Sequence, residues 1–327
     1  MPVGSPLLAL ASMRTDRERV ERALRDAVRT PDAYLNEIAL HLIVAGGKRL
    51  RPALAIVGAQ SVDDAPVSDD VIRGGIACEL VHLGSLYHDD VMDEAETRRG
   101  VETVNARWGN LQAILAGDFL LARASEIAAS LGTEVAGLLA RTIARLCEGQ
   151  IEELRHTYDV ARSVPSYLLS IEGKTASLFA TAARIGAIVA GHERAHVEAV
   201  TNYGTAYGMV FQIVDDILDL TATDAELGKP AGHDVVEGVY TLPVLHTLAS
   251  GGTAASELSA ILGKPLEHAE REKVLDIVRS NGGVPAAIEQ ARRFVADAER
   301  ACDGLPTGAT VDAMRETTSS LLASVAH

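Results

Sequence analysis

Apolar residues recur every three or four positions along nearly the whole chain, the period of helices buried on one face. Val20, Leu24 and Val28 are followed by Ile38, Leu42 and Ile43 before Gly46 and Gly47 stop the run, which predicts a first long helix over roughly 16–44. A short apolar helix follows Pro52, and Ser68 stands as the N-cap of a helix through Ile72, Ile76, Leu80 and Leu83. That helix carries His88, Asp89, Asp90 and Asp93 at its C-terminal end. Further helices are expected at about 108–131, 134–158, 166–190 and 194–221, punctuated by Gly132, Pro165 and Gly191. Residues 223–239, with Gly228, Pro230, Gly232 and Gly238, read as a loop. Shorter helices fit about 241–249, 254–262, 269–280, 285–302 and 310–326. No composition shift or low-complexity tract divides the chain, so residues 1–327 are expected to form one all-α domain.

Composition narrows this further. Apolar residues make up 47% of the chain but aromatics only 4%, which favours close-packed helices over sheets. A net charge of −15 argues against a nucleic-acid-binding surface, while leaving room for a local basic pocket. Cys78, Cys147 and Cys302 are far apart and match no metal or redox spacing, which points to a reducing cytoplasmic compartment. Leu7 to Ala11 is apolar but lacks a preceding basic segment, unlike a secretory leader. Asp118 and Arg184 interrupt the longest apolar stretches, so no transmembrane segment is expected.

Two DDxxD clusters, Asp89, Asp90 and Asp93, then Asp215, Asp216 and Asp219, each end an apolar helix. Positions i and i+4 share a helix face, so Asp89 should stand over Asp93, and Asp215 over Asp219, with like charges ~5–6 Å apart. One such cluster is tolerable on a solvated face. Two clusters, preceded by Leu83, Leu86, Phe211, Ile213 and Val214, imply partial burial and a need for cations. Carboxylates without His or Cys suit Mg²⁺, which keeps waters and bridges protein oxygens to substrate phosphates. The complementary cations lie in Gly46 to Pro52, with Lys48, Arg49 and Arg51, and in Thr97 to Gly100, with Arg98 and Arg99. Lys174 and Lys229 each follow a glycine, and His82 lies two turns before Asp89. Each of these alone reads as a solvated or packed residue; together with the acidic clusters they read as a diphosphate site.

The motifs GGKRLRP at 46–52, HLGSLYHDDVMDEAETRRG at 82–100, AGDFLLARA at 116–124, GKTASLF at 173–179, FQIVDDILD at 211–219 and GKPAGHDVVEG at 228–238 resemble, in order and spacing, the trans-isoprenyl diphosphate synthases, or polyprenyl synthetases. The resemblance implies the isoprenoid synthase fold, a helix bundle around a central cavity, and a homodimer. It implies a Mg²⁺-dependent prenyltransferase joining isopentenyl diphosphate to an allylic diphosphate, with three ions when substrate is bound and a product handed on to membranes. It makes Asp89, Asp93 and Asp215 metal ligands, supported by Asp90, Asp216 and Asp219, with Lys174 completing the catalytic group. Lys48, Arg51, His82 and Arg99 match positions that hold isopentenyl diphosphate. Arg98, Lys174, Gln212 and Lys229 match the allylic diphosphate site, with Thr175 beside them. Val239 departs from the pattern, standing where the family has a lysine.

Two rivals are weaker. A class I terpene cyclase shares the first aspartate motif but usually mixes Asn, Ser or Thr with Glu in the second, and needs no second diphosphate site. A regulatory subunit of a heteromeric synthase normally has degraded aspartate motifs. Product length is read from the helix before Asp89, where Ser85, Val81 and Cys78 descend ~16 Å on one face. The family closes its cavity near farnesyl length with an aromatic residue four or five positions before the motif; Gly84 and Ser85 stand there instead, which predicts a product longer than farnesyl, with geranylgeranyl as the shorter alternative.

Overall fold

Pro31 ends the first predicted helix early. The structure, a computed structural model, describes residues 5–223 and 231–326, and in it the stretch expected as one helix is two. Helix α1 (Pro6–Ala9) and α2 (Ala11–Ala27) precede the break, and α3 (Ala33–Val44) follows it. Pro31 cannot donate a helical hydrogen bond, and the Asp32 side chain instead accepts from the backbone N–H groups of Tyr34 and Leu35, starting a new helix.

The apolar segment around Pro52 is α4 (Leu50–Gln60), with the proline in its first turn. Ser68 caps α5 (Asp69–Met92), its hydroxyl accepting from Val71 N–H at 3.3 Å. Helix α5 is buried along most of its length because α4, α7 and α10 pack around it. Strands β1 (Thr97–Arg98) and β2 (Val101–Glu102) form a small hairpin that periodicity did not predict. Its two-residue turn, Arg99 and Gly100, has positive φ at both positions, the geometry that matches strand twist.

Then come α6 (Val104–Trp108), α7 (Asn110–Ser130) and α8 (Thr133–Arg155). The predicted helix 166–190 is divided into α9 (Val164–Ile171), a π-helical turn (Glu172–Ala176) and α10 (Ser177–Val189). Helix α11 (Arg194–Thr221) agrees with its predicted limits. Within the predicted loop the described residues include a short helix, α12 (His233–Val236). Helices α13 (Leu242–Ala249), α14 (Gly252–Ile261), α15 (His268–Ser280), α16 (Gly283–Cys302) and α17 (Ala309–Ala323) complete the chain.

Two apolar clusters hold these helices. One gathers α2 to α5, α7 and α10; the other gathers α9 and α12 to α16. Helix α11 belongs to both, giving Val200 and Tyr203 to the first and Ile213 and Ile217 to the second. Both long helices, α5 and α11, therefore present their C-terminal ends from a rigid base. No helix among the described residues is long and apolar enough to cross a membrane.

Candidate active site

The C-terminal halves of α5 and α11, the wall of α8, the π turn and the loop before α4 enclose a cavity of about 840 Å³. Asp89 from α5 and Asp215 from α11 both line it, so the two aspartate motifs open into one space. Carboxylates at a helix C-terminus oppose the helix dipole, at a cost of ~0.3–1 kcal/mol each, so Asp89, Asp90 and Asp93 at the end of α5 and Asp219 in the last turn of α11 mark a site that expects cations.

The members of each motif have different surroundings. Asp90 is fully buried and accepts from Arg98 Nε at 2.5 Å, so Arg98 and Asp90 brace one another and neither is among the residues lining the cavity. Asp93 follows the end of α5 with much of its surface open to solvent, and partial desolvation of its carboxyl, then the charges of Glu237 and Asp89, push its pKa up to about 6. Asp215 is exposed and Asp219 buried, so the two members of this motif four residues apart on α11 differ in their access to solvent. Asp219 Oδ2 accepts from Asp234 N–H at 3.3 Å, and its carbonyl accepts from Gly232 N–H at 2.7 Å, which ties α11 to the segment before α12. Asp216 is buried too, receiving Tyr167 Oη–H at 2.5 Å and Gln212 Nε2–H at 2.8 Å. Gln212 Oε1 in turn accepts from Thr175 at 2.8 Å, so one buried carboxylate sets the orientation of two cavity-lining side chains.

The cations gather opposite. Arg49 takes a left-handed backbone, φ +53°, and turns inward to Glu21 at 2.7 Å, Glu79 at 3.2 Å and the Ile43 carbonyl at 2.8 Å. Lys48, Arg49 and Arg51 all line the cavity, but the Arg49 guanidinium is already engaged by these partners. Arg51 lies over the Phe179 ring, 4.5 Å from its centroid, and Arg99 hydrogen-bonds the Gly46 carbonyl to close the loop against the β hairpin. His82 lines the same wall, and burial together with Arg51 and Arg99 holds its pKa well below the usual value, so the imidazole is neutral.

Lys174 sits in the π turn, its Nζ 2.6 Å from Glu153 of α8. Gly149 and Gly173 permit this approach: a Cβ on Gly149 would lie 2.4 Å from Lys174 N and 2.7 Å from the Ser170 carbonyl. Gly149→Ala is expected to lower stability by ~1–3 kcal/mol and to cut turnover with it, checked by thermal melting and steady-state kinetics.

Of the four residues read as chain-length determinants, Ser85 lines the cavity. Gly84 faces α7, where an added Cβ would meet the Gly117 carbonyl at 3.0 Å. Val81 and Cys78 are buried at 1% and 0% exposure and do not line the cavity, so the expected open turns below Ser85 are packed. Lys229 lies outside the described residues. Val239 is half-buried, its N–H bonded to the Asp234 carbonyl, and is not a lining residue. Reasoning from sequence missed Glu79, Gln150 and Glu153; Glu79 alone carried a signal, a charge inside the apolar run from Ile76 to Leu83.

Among the described residues no three His, Cys, Asp or Glu side chains converge to hold an ion by themselves. Oxygen donors spread across a cavity instead fit Mg²⁺, which takes only one or two carboxylates and fills its shell with water and phosphate.

The nonaprenyl diphosphate synthase of Mycobacterium tuberculosis is 40% identical over 297 residues, covering 90% of this chain and 88% of that protein. The crystal structure of heptaprenyl diphosphate synthase from Staphylococcus aureus superposes with a TM-score of 0.90 at 30% identity, covering 96% of this chain and 98% of the other. A geranylgeranyl pyrophosphate synthase from Corynebacterium glutamicum, crystallised with calcium and isoprenyl diphosphate, gives a TM-score of 0.86 at 37% identity over 100% of both chains. The family model described as polyprenyl synthetase matches residues 32–278, which takes in both aspartate motifs and the cations opposite them, and the chain belongs to the polyprenyl synthetase family.

Proposed function

We propose that this protein is a Mg²⁺-dependent prenyltransferase that condenses isopentenyl diphosphate with an allylic diphosphate in trans, making a polyprenyl diphosphate longer than farnesyl. The observation that carries this reading is one cavity lined both by an aspartate from each motif, Asp89 and Asp215, and by a separate cluster of cations, Lys48, Arg51 and Arg99. Two distinct diphosphate-binding walls fit two diphosphate substrates, whereas a cyclase needs one. The M. tuberculosis and S. aureus relatives make long chains by name and the C. glutamicum relative a geranylgeranyl product, so a geranylgeranyl diphosphate synthase is the alternative.

In the proposed mechanism Asp89, Asp93 and Asp215 hold the ions. Mg²⁺ bound there supplies a Lewis acid to the departing diphosphate. Lys174 supplies a further positive charge on that side once the substrate diphosphate draws it from Glu153. Heterolysis of the allylic C–O bond sends its electron pair to the diphosphate and leaves an allylic cation in the cavity, whose wall includes the hydrogen-bonded pair Thr175 and Gln212. Lys48, Arg51, Arg99 and neutral His82 orient isopentenyl diphosphate so that its double bond meets the cation. Loss of a proton to the released diphosphate restores an alkene.

We read the chain as one domain, because α11 runs through both apolar clusters. A homodimer is supported by the exposed stripe Leu111, Ile114 and Leu115 on α7, a face that water disfavours. Free Cys78, Cys147 and Cys302 support a cytoplasmic setting, with the product passed to membranes.

Purified protein given both diphosphates and Mg²⁺ is expected to release chains longer than farnesyl, and chelation of the metal is expected to abolish turnover. Consumption of the allylic substrate alone, with cyclic products, would establish the cyclase reading instead.

A further inference from the structure

Glu79 stands on α5 one turn before His82 and lines the same cavity, 1% exposed, inside an otherwise apolar stretch. A buried carboxylate in a cavity that receives diphosphates repels its own substrates. Metal binding does not account for it, because it lies ten residues, about 15 Å of helix, from Asp89. Arg49 accounts for only one of its oxygens: Nη1 of Arg49 donates to Glu79 Oε1 at 3.2 Å, while Glu21 and the Ile43 carbonyl take the other Arg49 nitrogens.

The unsatisfied atoms show its use. Glu79 Oε2 is buried without a hydrogen-bond partner, and so is Nε of Arg51. Desolvation lowers the pKa of both Arg51 and Arg99, and the Glu79 charge is the strongest influence raising each of them again. Without it, guanidinium groups packed together would repel one another and swing apart.

We propose that Glu79 is a positioning residue of the isopentenyl diphosphate subsite, holding Arg51, and with it Arg99, aimed at the diphosphate, its Oε2 being the acceptor on which Arg51 Nε closes when substrate draws the outer nitrogens forward. This rests on the function proposed above. Glu79 does not touch substrate; it acts through the two arginines.

Glu79→Gln keeps the shape and removes the charge. It is expected to raise the Michaelis constant for isopentenyl diphosphate by about tenfold or more while leaving that for the allylic diphosphate within about twofold. A lower melting temperature with both constants moving together, or a tighter hold on isopentenyl diphosphate, would overturn the assignment. Should Glu79→Gln fail to fold, Glu79→Asp retains the charge but withdraws it by one methylene; the same split between the two constants is expected, and an unchanged constant for isopentenyl diphosphate would refute the role. In a double-mutant cycle with Arg51→Lys the two effects should be non-additive, and simple additivity would also refute it. Wild-type protein that turns over no isopentenyl diphosphate would instead remove the proposed function, so the two failures are distinct.

Discussion

Replacing Asp89 or Asp215 by alanine is expected to cut turnover by orders of magnitude and to leave the protein as stable as before, or slightly more so. Asp89 stands in the last turn of α5, where negative charge opposes the dipole, so its removal relieves ~0.3–1 kcal/mol; Asp215 lines the cavity nearly two turns before the end of α11 and is exposed, so its removal is expected to change stability little. In the proposed mechanism activity falls because both residues serve the same departing diphosphate, so that one wall alone would leave part of its charge uncompensated. Asp216→Ala is expected to behave differently. It strands the Tyr167 hydroxyl and the Gln212 amide, both bonded to that buried carboxylate, and should lower stability by ~1–3 kcal/mol as well as activity. Thermal melting and turnover measured on the same preparations separate the two patterns. Near-wild-type turnover in Asp89→Ala or Asp215→Ala would remove the two-motif model.

Ser85→Phe is expected to shorten the product toward farnesyl diphosphate. Ser85 lines the cavity one turn below Asp89, with its hydroxyl turned back to the His82 carbonyl at 2.9 Å, so a benzyl group there has the cavity as its only space. Gly84→Ala is the control. Its Cβ would press on the Gly117 carbonyl at 3.0 Å and on Leu121 at 3.3 Å, which should cost about 1 kcal/mol or more and leave the product unchanged. Chromatography of the released chains reads both results. A wild-type protein that already stops at farnesyl diphosphate would defeat the argument from Ser85.

Much of this arrangement was legible before any coordinates. The long helices α5 and α11 could be placed because Ser68 and Gly191 punctuate an unbroken apolar period, and the acidic ends followed from that placement. The break at Pro31 is hidden from periodicity because Val28 and Leu42, on either side of it, lie only about 40° out of phase on a continuous helix. Within each DDxxD cluster, spacing identifies neighbours on a helix but not which side the remaining helices cover; Asp219 went inward because α12 and the residues before it pack there. Lys48, Arg49 and Arg51 are visible as a group, yet spacing does not say that Arg49 spends its guanidinium on Glu21, Glu79 and the Ile43 carbonyl. The approach of Gly149 to Gly173 left no trace in periodicity, because contacts between distant helices are not encoded by local spacing.

The π turn at Glu172–Ala176 has an evolutionary consequence. Such a turn amounts to one residue added to an otherwise regular helix, and it persists only where something besides helix stability retains it. A chain shortened by one residue here would heal into a single continuous helix from Val164 to Val189, with better backbone hydrogen bonding but with every side chain beyond the deletion rotated by about 100°. Lys174 or the packed face of α10 would then have to leave its place. Selection for a sturdier helix and selection for a lysine held in the cavity wall therefore pull in opposite directions at this point, and the segment between Ile171 and Ser177 is expected to tolerate substitution far better than insertion or deletion.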